Sequence, residues 1–114
     1  MIEKIVLDYL NEELDVDCYM EVPANAGASF VVIEKTAGGR NNLVDSAMIA
    51  LQSYGSTMLE AATLNESVKD AMNIMAMNVT EVFGCYLNSD YNYTDVTEQR
   101  YRYQAVYDIN YQEA

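Results

Sequence analysis

The stretch DYNYTD, residues 90–95, comes nearest in this sequence to a metal-binding pattern. Asp90, Asn92 and Thr94 fit the first, third and fifth positions of a twelve-residue calcium loop, where oxygen ligands alternate. Such a loop needs glycine at its sixth position and glutamate at its twelfth, but Asp95 and Tyr101 stand there. We therefore predict a loop whose Asn and Asp side chains accept hydrogen bonds from their own backbone, with a weak surface ion site as the alternative.

No other residues have the composition of a catalytic, cofactor or metal site. The chain contains no histidine, which excludes Ser–His and Cys–His nucleophile pairs within it. Cys18 and Cys85 lie in apolar stretches and lack the close spacing of zinc ligands, so we predict two free, mostly buried thiols. The paired acids of residues 12–17 lie in a very hydrophilic segment, where we do not expect a catalytic pocket. We predict a protein that is not an enzyme and needs no cofactor or metal.

Charge narrows the classes of partner. The 114 residues include 18 acids and six bases, which gives a net charge of −12. Such a surface repels phosphate and disfavours ordinary nucleic-acid binding. It suits either a plain solvated acidic face or the wall of a channel that DNA passes without sticking. No apolar run reaches the length of a membrane span, and acids stand near the start where a signal peptide would be basic. We therefore expect a cytoplasmic protein.

Residues 101–111, YRYQAVYDINY, form the most regular pattern in the chain. Tyr101, Tyr103, Tyr107 and Tyr111 share one side of a predicted strand with Ala105 and Ile109. Ten tyrosines, against two phenylalanines and no tryptophan, suggest rings buried by their bodies with their hydroxyl groups near water. This pattern fits a core lid beneath helices and also fits a protein–protein interface.

The elements that position these residues follow from hydrophobic periodicity. We predict helices at 1–14 and 57–77, strands at 17–22, 29–36, 43–54, 79–90 and 101–111, a Gly38–Gly39 turn within loop 37–42, and a polar loop at 91–98. The order α-β-β-β-α-β-β predicts one α+β domain over residues 1–114. Its architecture would be a two-layer sandwich, an antiparallel sheet of about five strands with both helices on one face.

Three segments give the sequence a family resemblance: FVVIEKT (residues 30–36), QSYGSTMLEAA (52–62) and YRYQAVYDI (101–109). In these segments and in the order of its elements, the chain resembles tail terminator, or tail completion, proteins of long-tailed bacteriophages and prophages. These proteins are often called minor capsid or head–tail joining components. The resemblance covers residues 1–111 and contains no chemical motif.

The resemblance implies a structural role at the head–tail junction. In the family, subunits form a hexameric ring that caps the tail tube, stops its growth and meets the head's connector proteins. DNA passes through the ring, and its lumen is usually acidic. A neck, head-closure or other tail-completion protein fits the same features. A small acidic binding module or inhibitor of a basic partner is the alternative from another class.

Exposed loops on a rigid sheet often carry recognition, so we expect contacts with subunits or partners near loops 37–42 and 91–98 and near the ends of the last strand. The candidates are Gly39, Arg40, Asn41, Asn42, Tyr91, Tyr93, Arg100, Tyr101, Arg102 and Tyr111.

Overall fold

The fold is described here from a computed structural model, in which residues 1–41, 43–98 and 100–113 are placed. The candidate contact residue Asn42 lies outside the described residues. The elements in chain order are α1 (Ile2–Glu13), β1 (Cys18–Tyr19), β2 (Phe30–Asn41), β3 (Val44–Gly55), α2 (Met58–Asn73), α3 (Met75–Asn78), β4 (Val82–Asn92) and β5 (Tyr101–Tyr111). None of the helices in the described ranges is long and apolar enough to cross a membrane.

The strands form one five-stranded sheet in the order β1-β2-β3-β5-β4, and helices pack against it. The predicted α+β class and the order of the main elements are confirmed. The prediction of a wholly antiparallel sheet is wrong, because β1 pairs with β2 in parallel while the other neighbours are antiparallel. The connection over residues 20–29 explains the difference. It is long enough to bring the chain back to the end of the sheet from which β1 starts, so β2 runs in the same direction.

β2 is longer than predicted, and β4 begins and ends later than predicted. Gly38 and Gly39 do not form a turn: they pair with Ala47 and Ser46 inside the β2–β3 ladder, which continues to the pair Asn41 and Val44. β2 has a bulge at residues 35–37, directly before the two glycines. Glycine inside a strand often accompanies a bulge. β4 likewise continues to Asn92, so the first residues of the predicted loop 91–98 belong to a strand.

The core lies between the helices and one face of the sheet. Fully buried side chains of α1 and α2, such as Val6, Leu10 and Val68, pack in one cluster with Ile49 and Leu51 of β3. β5 adds Ala105, Tyr107, Ile109 and Tyr111 to the same cluster, so this part of the tyrosine side is core, as predicted. The apolar stripe predicted on the second helix, Ala61, Leu64, Val68, Ala71, Met72 and Met75, is buried or half-buried.

The predicted single helix over 57–77 is interrupted at Ile74. The Ile74 N–H bonds to the carbonyl of Ala71, three residues back, at 3.4 Å, which tightens the last turn of α2. The four residues of α3 follow at once, and Met75 remains fully buried.

Cys18 and Cys85 are free thiols, as predicted. They lie on β1 and β4, the two outermost strands of the sheet, which excludes a bond between them within one chain. Burial raises the pKa of each thiol to about 12, so both stay protonated and weakly nucleophilic at neutral pH.

Replacing Gly55 with alanine is expected to lower the free energy of unfolding by about 1–2 kcal/mol, because β3 enters α2 without room for a side chain. A Cβ on Gly55 would lie 2.5 Å from the Ala61 nitrogen and 2.9 Å from Glu60 Cβ. The first turn of α2 resists displacement, since Thr57 Oγ1 accepts a hydrogen bond from the Glu60 N–H at 3.1 Å. Urea unfolding measures the change.

The control for this prediction is Gly27→Ala, because nothing lies within 4 Å of a Cβ built there. We expect that variant to match the parent protein or gain slightly in stability. Equal unfolding midpoints for the two variants would contradict the steric explanation.

Candidate functional site

The sheet face turned away from the helices carries a line of aromatic side chains. Residues alternate between the two faces along a strand, so the neighbours of the core residues on β3 and β5 point outward. Six side chains, contributed by all five strands and the loop after β4, form what we call the aromatic–arginine row: Tyr19, Phe30, Tyr54, Arg102, Tyr93 and Tyr91.

One end of the row, which we call the inner end, consists of Tyr19, Phe30 and Tyr54 and is tightly packed. Phe30 and Tyr54 stack with ring centroids 4.5 Å apart and an angle of 10° between the ring planes. Tyr19 meets Phe30 edge to face at 6.1 Å. Phe30 and Tyr54 are buried together with Val32, although no helix covers this face in the part of the chain that the structure describes. This second small core fixes the row to β2 and β3.

Arg102 joins the inner end to the outer end, which consists of Tyr93 and Tyr91. Its guanidinium lies 4.5 Å from the ring centroid of Tyr93 and 5.7 Å from that of Tyr54, within the range of cation–π attraction. Its Nε donates to the Tyr93 carbonyl at 2.7 Å, and its Nη1 donates to the Tyr54 hydroxyl at 2.9 Å. The side chain is therefore held in one orientation before any partner binds.

A pair of glutamines anchors the outer tyrosines. Gln52 Nε2 donates to Gln104 Oε1 at 2.9 Å, and Gln104 Nε2 donates to the Tyr91 hydroxyl. Tyr91 and Tyr93 pack edge to face at 5.9 Å. Tyr91 is 41% exposed and Tyr93 42% exposed, against 5% for Tyr54, so the outer end of the row is the part that offers surface to a partner.

The residues predicted as contacts separate into two groups at opposite ends of the sheet. Tyr91, Tyr93 and Arg102 come together in the row, and Arg100 and Tyr101 line a small cavity of about 250 Å³ beside Phe30 and Tyr54.

At the other end, Gly39, Arg40 and Asn41 belong to the β2–β3 hairpin. There Arg40 makes two hydrogen bonds to Asp45, of 2.5 and 3.3 Å. Tyr111 is buried in the main core, which leaves little of its surface for a partner. Whether these residues form an interface stays a prediction.

Sequence reasoning missed Tyr19, Phe30, Tyr54 and the two glutamines as members of one surface. A partial signal exists, because Gln52 and Tyr54 share a side of the same predicted strand. The register that places Tyr54 opposite Arg102 joins segments 48 positions apart and has no local signature.

The segment that resembled a calcium loop begins in β4, but the predicted hydrogen bonds from its own backbone are present at Asn92 and Asp95. Asn92 Oδ1 accepts a hydrogen bond from the Thr94 N–H at 2.9 Å, and Asp95 Oδ1 accepts from the N–H groups of Thr97 and Glu98. Asp90 faces Asn65 and Lys69 of α2 instead of the loop. Within residues 1–41, 43–98 and 100–113, no three Cys, Asp or Glu side chains cluster closely enough to hold a metal ion.

An open groove with acidic residues in its lining lies between the end of α1 and the start of α2. Glu13, Asp15 and Glu60 line this open groove of about 550 Å³ together with leucine and valine side chains. Glu60 is already engaged, because the Ser56 N–H and hydroxyl bond to its carboxylate, and these bonds hold the pKa of Glu60 below its usual value.

A scan against protein-family models and a search of curated proteins find no match to this chain.

Proposed function

We propose that this chain is a structural assembly subunit of the tail-terminator type. In this proposal it forms a homo-oligomeric ring, a hexamer as in the family it resembles, that caps the tail tube of a long-tailed phage and joins it to the head. Its partners are other copies of itself, the tail tube protein and head–tail connector proteins. It would act in the bacterial cytoplasm during assembly and remain in the virion at the head–tail junction.

The observation that carries the proposal is the aromatic–arginine row on a sheet face without a helix over it among the described residues. Tyrosine and arginine are the residue types enriched where protein interfaces gain most of their binding energy. The rings are fixed by stacking and hydrogen bonds, so little entropy is lost when a partner covers them.

The shape and charge of the chain support the same role. The molecule is elongated, 44 Å by 25 Å by 24 Å, with a hairpin at each end of the sheet to reach neighbouring molecules. A net charge of −12 suits a channel lining that DNA passes without binding. The net charge alone would also suit a small acidic binding module. The aromatic–arginine row favours the ring, because its arginine lets one acidic copy of the chain bind another.

Native mass spectrometry at moderate salt, on protein at tens of micromolar, tests the proposal. We expect a discrete closed oligomer, a hexamer, and rings with a central opening in negative-stain electron micrographs. If the chain is a monomer, purified tail tubes decide the question. Binding at one end of the tubes supports the terminator role, and a monomer that binds no tube contradicts the proposal. A monomer that instead binds a basic protein through its acidic face would favour the binding module.

A further inference from the structure

We propose that the outer end of the aromatic–arginine row binds the acidic edge of a second copy of this chain, with Asp17 of that copy facing Arg102. The acidic edge comprises Asp15, Asp17 and Glu21, which flank β1 at the border of the sheet. This inference rests on the proposed function, because it names the contact through which neighbouring subunits of the ring would bind each other.

Arg102 has hydrogen-bond donors without a partner among the described residues. A guanidinium has five N–H donors, and the internal hydrogen bonds to Tyr93 and Tyr54 use two of them. Neither donor of Nη2 has a partner among the described residues, and no described carboxylate lies within 4 Å of this side chain. The rings hold the guanidinium in place, so its free N–H groups can donate hydrogen bonds to a carboxylate of another molecule.

Positive charge is scarce in this chain. Four of the six bases, Lys4, Arg40, Lys69 and Arg100, already lie within 4 Å of an acid in the same chain. Arg102 is thus a rare site of uncompensated positive charge in a chain with net charge −12. Carboxylates on another copy of this chain are the complementary groups that the sequence supplies in excess.

The position of Asp17 along the sheet matches that of Arg102. The Asp17 carbonyl accepts the Val31 N–H at 3.1 Å, and Val31 is in register with Ser53, which is in register with Tyr103, the neighbour of Arg102. Asp17 therefore lies level with Arg102, at the β1 border of the sheet and three strand spacings, or roughly 14 Å, from β5, while β4 forms the border beyond Arg102. One copy cannot join these two groups, whereas two copies side by side can.

Apolar surface accompanies both charged groups. Met20 and Val22, beside the acidic edge, are 47% and 39% exposed, and Tyr91 and Tyr93 are exposed to a similar extent at the other border. A surface ion pair alone contributes little affinity, so the rings and these apolar side chains would supply most of the buried area while the charges select the orientation.

The two surfaces differ, so the contact is head-to-tail. Each copy would use its aromatic–arginine row on one neighbour and its acidic edge on the other. A head-to-tail contact forms a ring when its rotation closes and a filament when it does not. The inferred contact therefore supplies the kind of interface that a ring requires.

Charge reversal tests the contact by sedimentation velocity over a range of concentrations. Arg102→Glu and Asp17→Arg should each weaken self-association by at least about tenfold, because like charges then face each other. An equimolar mixture of the two variants should assemble again. In the mixture each copy retains one native surface, and the two reversed surfaces complement each other.

Lys4→Glu is the matched control. It changes the net charge as much as Arg102→Glu does, but on the exposed side of α1, and it should assemble like the parent protein. Circular dichroism checks that each variant is folded. Asp17 lies on an exposed edge, so Asp17→Arg keeps the test decisive if Arg102→Glu does not fold.

The outcomes separate this inference from the proposed function. Assembly of the parent protein together with undiminished assembly of folded Asp17→Arg would overturn the contact and leave the ring proposal standing. Loss of assembly in both folded variants without recovery in their mixture would also overturn it. A parent protein that remains monomeric up to hundreds of micromolar contradicts the contact, while binding to tail tubes still decides the function.

Discussion

Replacing Tyr107 with alanine is expected to lower the free energy of unfolding by about 3–5 kcal/mol, a large part of the total stability of a domain of this size. Tyr107 is the largest side chain that is fully buried, and its ring lies in the main core between β5 and the helices. Removing the ring leaves a cavity that rigid strands on both sides of β5 cannot close. Urea unfolding gives the change in midpoint, and an unchanged m-value shows that the unfolding transition itself is unaltered.

Two further variants divide the effect into its parts. Tyr107→Phe keeps the ring and removes only the hydroxyl, which donates to Asn73 Oδ1 at 2.9 Å and approaches the Lys69 carbonyl at 3.3 Å. We expect a loss of about 1 kcal/mol for that variant. Tyr86→Ala removes a tyrosine that is 61% exposed on the neighbouring strand, and should cost about 1 kcal/mol or less. If Tyr107→Ala cost no more than Tyr86→Ala, Tyr107 would not be a core residue.

Tyr107 also shows which parts of the fold can be read from sequence. Alternation along β5 correctly predicts that its tyrosine side meets the helices, because burial of one sheet face imposes a period of two. Helical periodicity likewise predicts the buried stripe of α2. Both signals are local, and each is carried by many residues at once.

Features that depend on pairing between distant segments are not readable in the same way. The parallel pairing of β1 depends on the path of residues 20–29, and the Gly38–Gly39 pair is a strong turn signal that a strand overrides. β2 can continue through both glycines because a bulge adjusts its register and β3 offers partners for their backbone groups. The interruption at Ile74 has no proline or glycine to announce it.

The candidate site is predictable to the extent that it is local. Tyr91, Tyr93 and Arg102 lie on one hairpin, and the sequence already marks them as neighbours on exposed structure. Tyr54 and Phe30 join them only through the register of three strands, and that register reveals that Arg102 is fixed between two rings. The sequence alone therefore predicts only a polar loop at this place, and the structure is needed to show that Arg102 is held in one orientation.

A cluster of three polar side chains on the helix side of the sheet, Asp90, Asn65 and Lys69, is also expected to contribute to stability. Asp90 accepts a hydrogen bond from Asn65 at 2.7 Å and an ion-paired bond from Lys69 at 2.5 Å, which ties β4, an outermost strand, to α2. Asp90→Asn keeps an oxygen that can accept from Asn65, but it removes the negative charge that faces Lys69, whose side chain is only 15% exposed. We expect Asp90→Asn to lower the free energy of unfolding at pH 7 by about 2–3 kcal/mol, the value for hydrogen bonds to a charged group.

The pH dependence of this difference identifies its origin. Burial tends to raise the pKa of Asp90, but the bonds from Lys69 and Asn65 outweigh it and hold the pKa below its usual value of 3.8. A lowered pKa stabilises the folded chain above the usual value, and this contribution is lost as pH falls through the folded-state pKa. The stability difference between the parent protein and Asp90→Asn should be constant around neutral pH and shrink from about pH 5 downward.

Asp8→Asn provides the comparison, because Asp8 also pairs with a lysine, at 2.9 Å, but both partners are well exposed on α1. Its removal should cost only about 0.5 kcal/mol or less, since water screens such a pair and long side chains lose entropy in forming it. A lower pH also weakens the overall charge repulsion within this acidic chain, and it does so in every variant alike. Comparing the variants at the same pH therefore cancels this contribution. A difference between the parent protein and Asp90→Asn that stays the same from pH 7 to pH 3 would mean that packing, and not the charge of Asp90, holds β4 against α2.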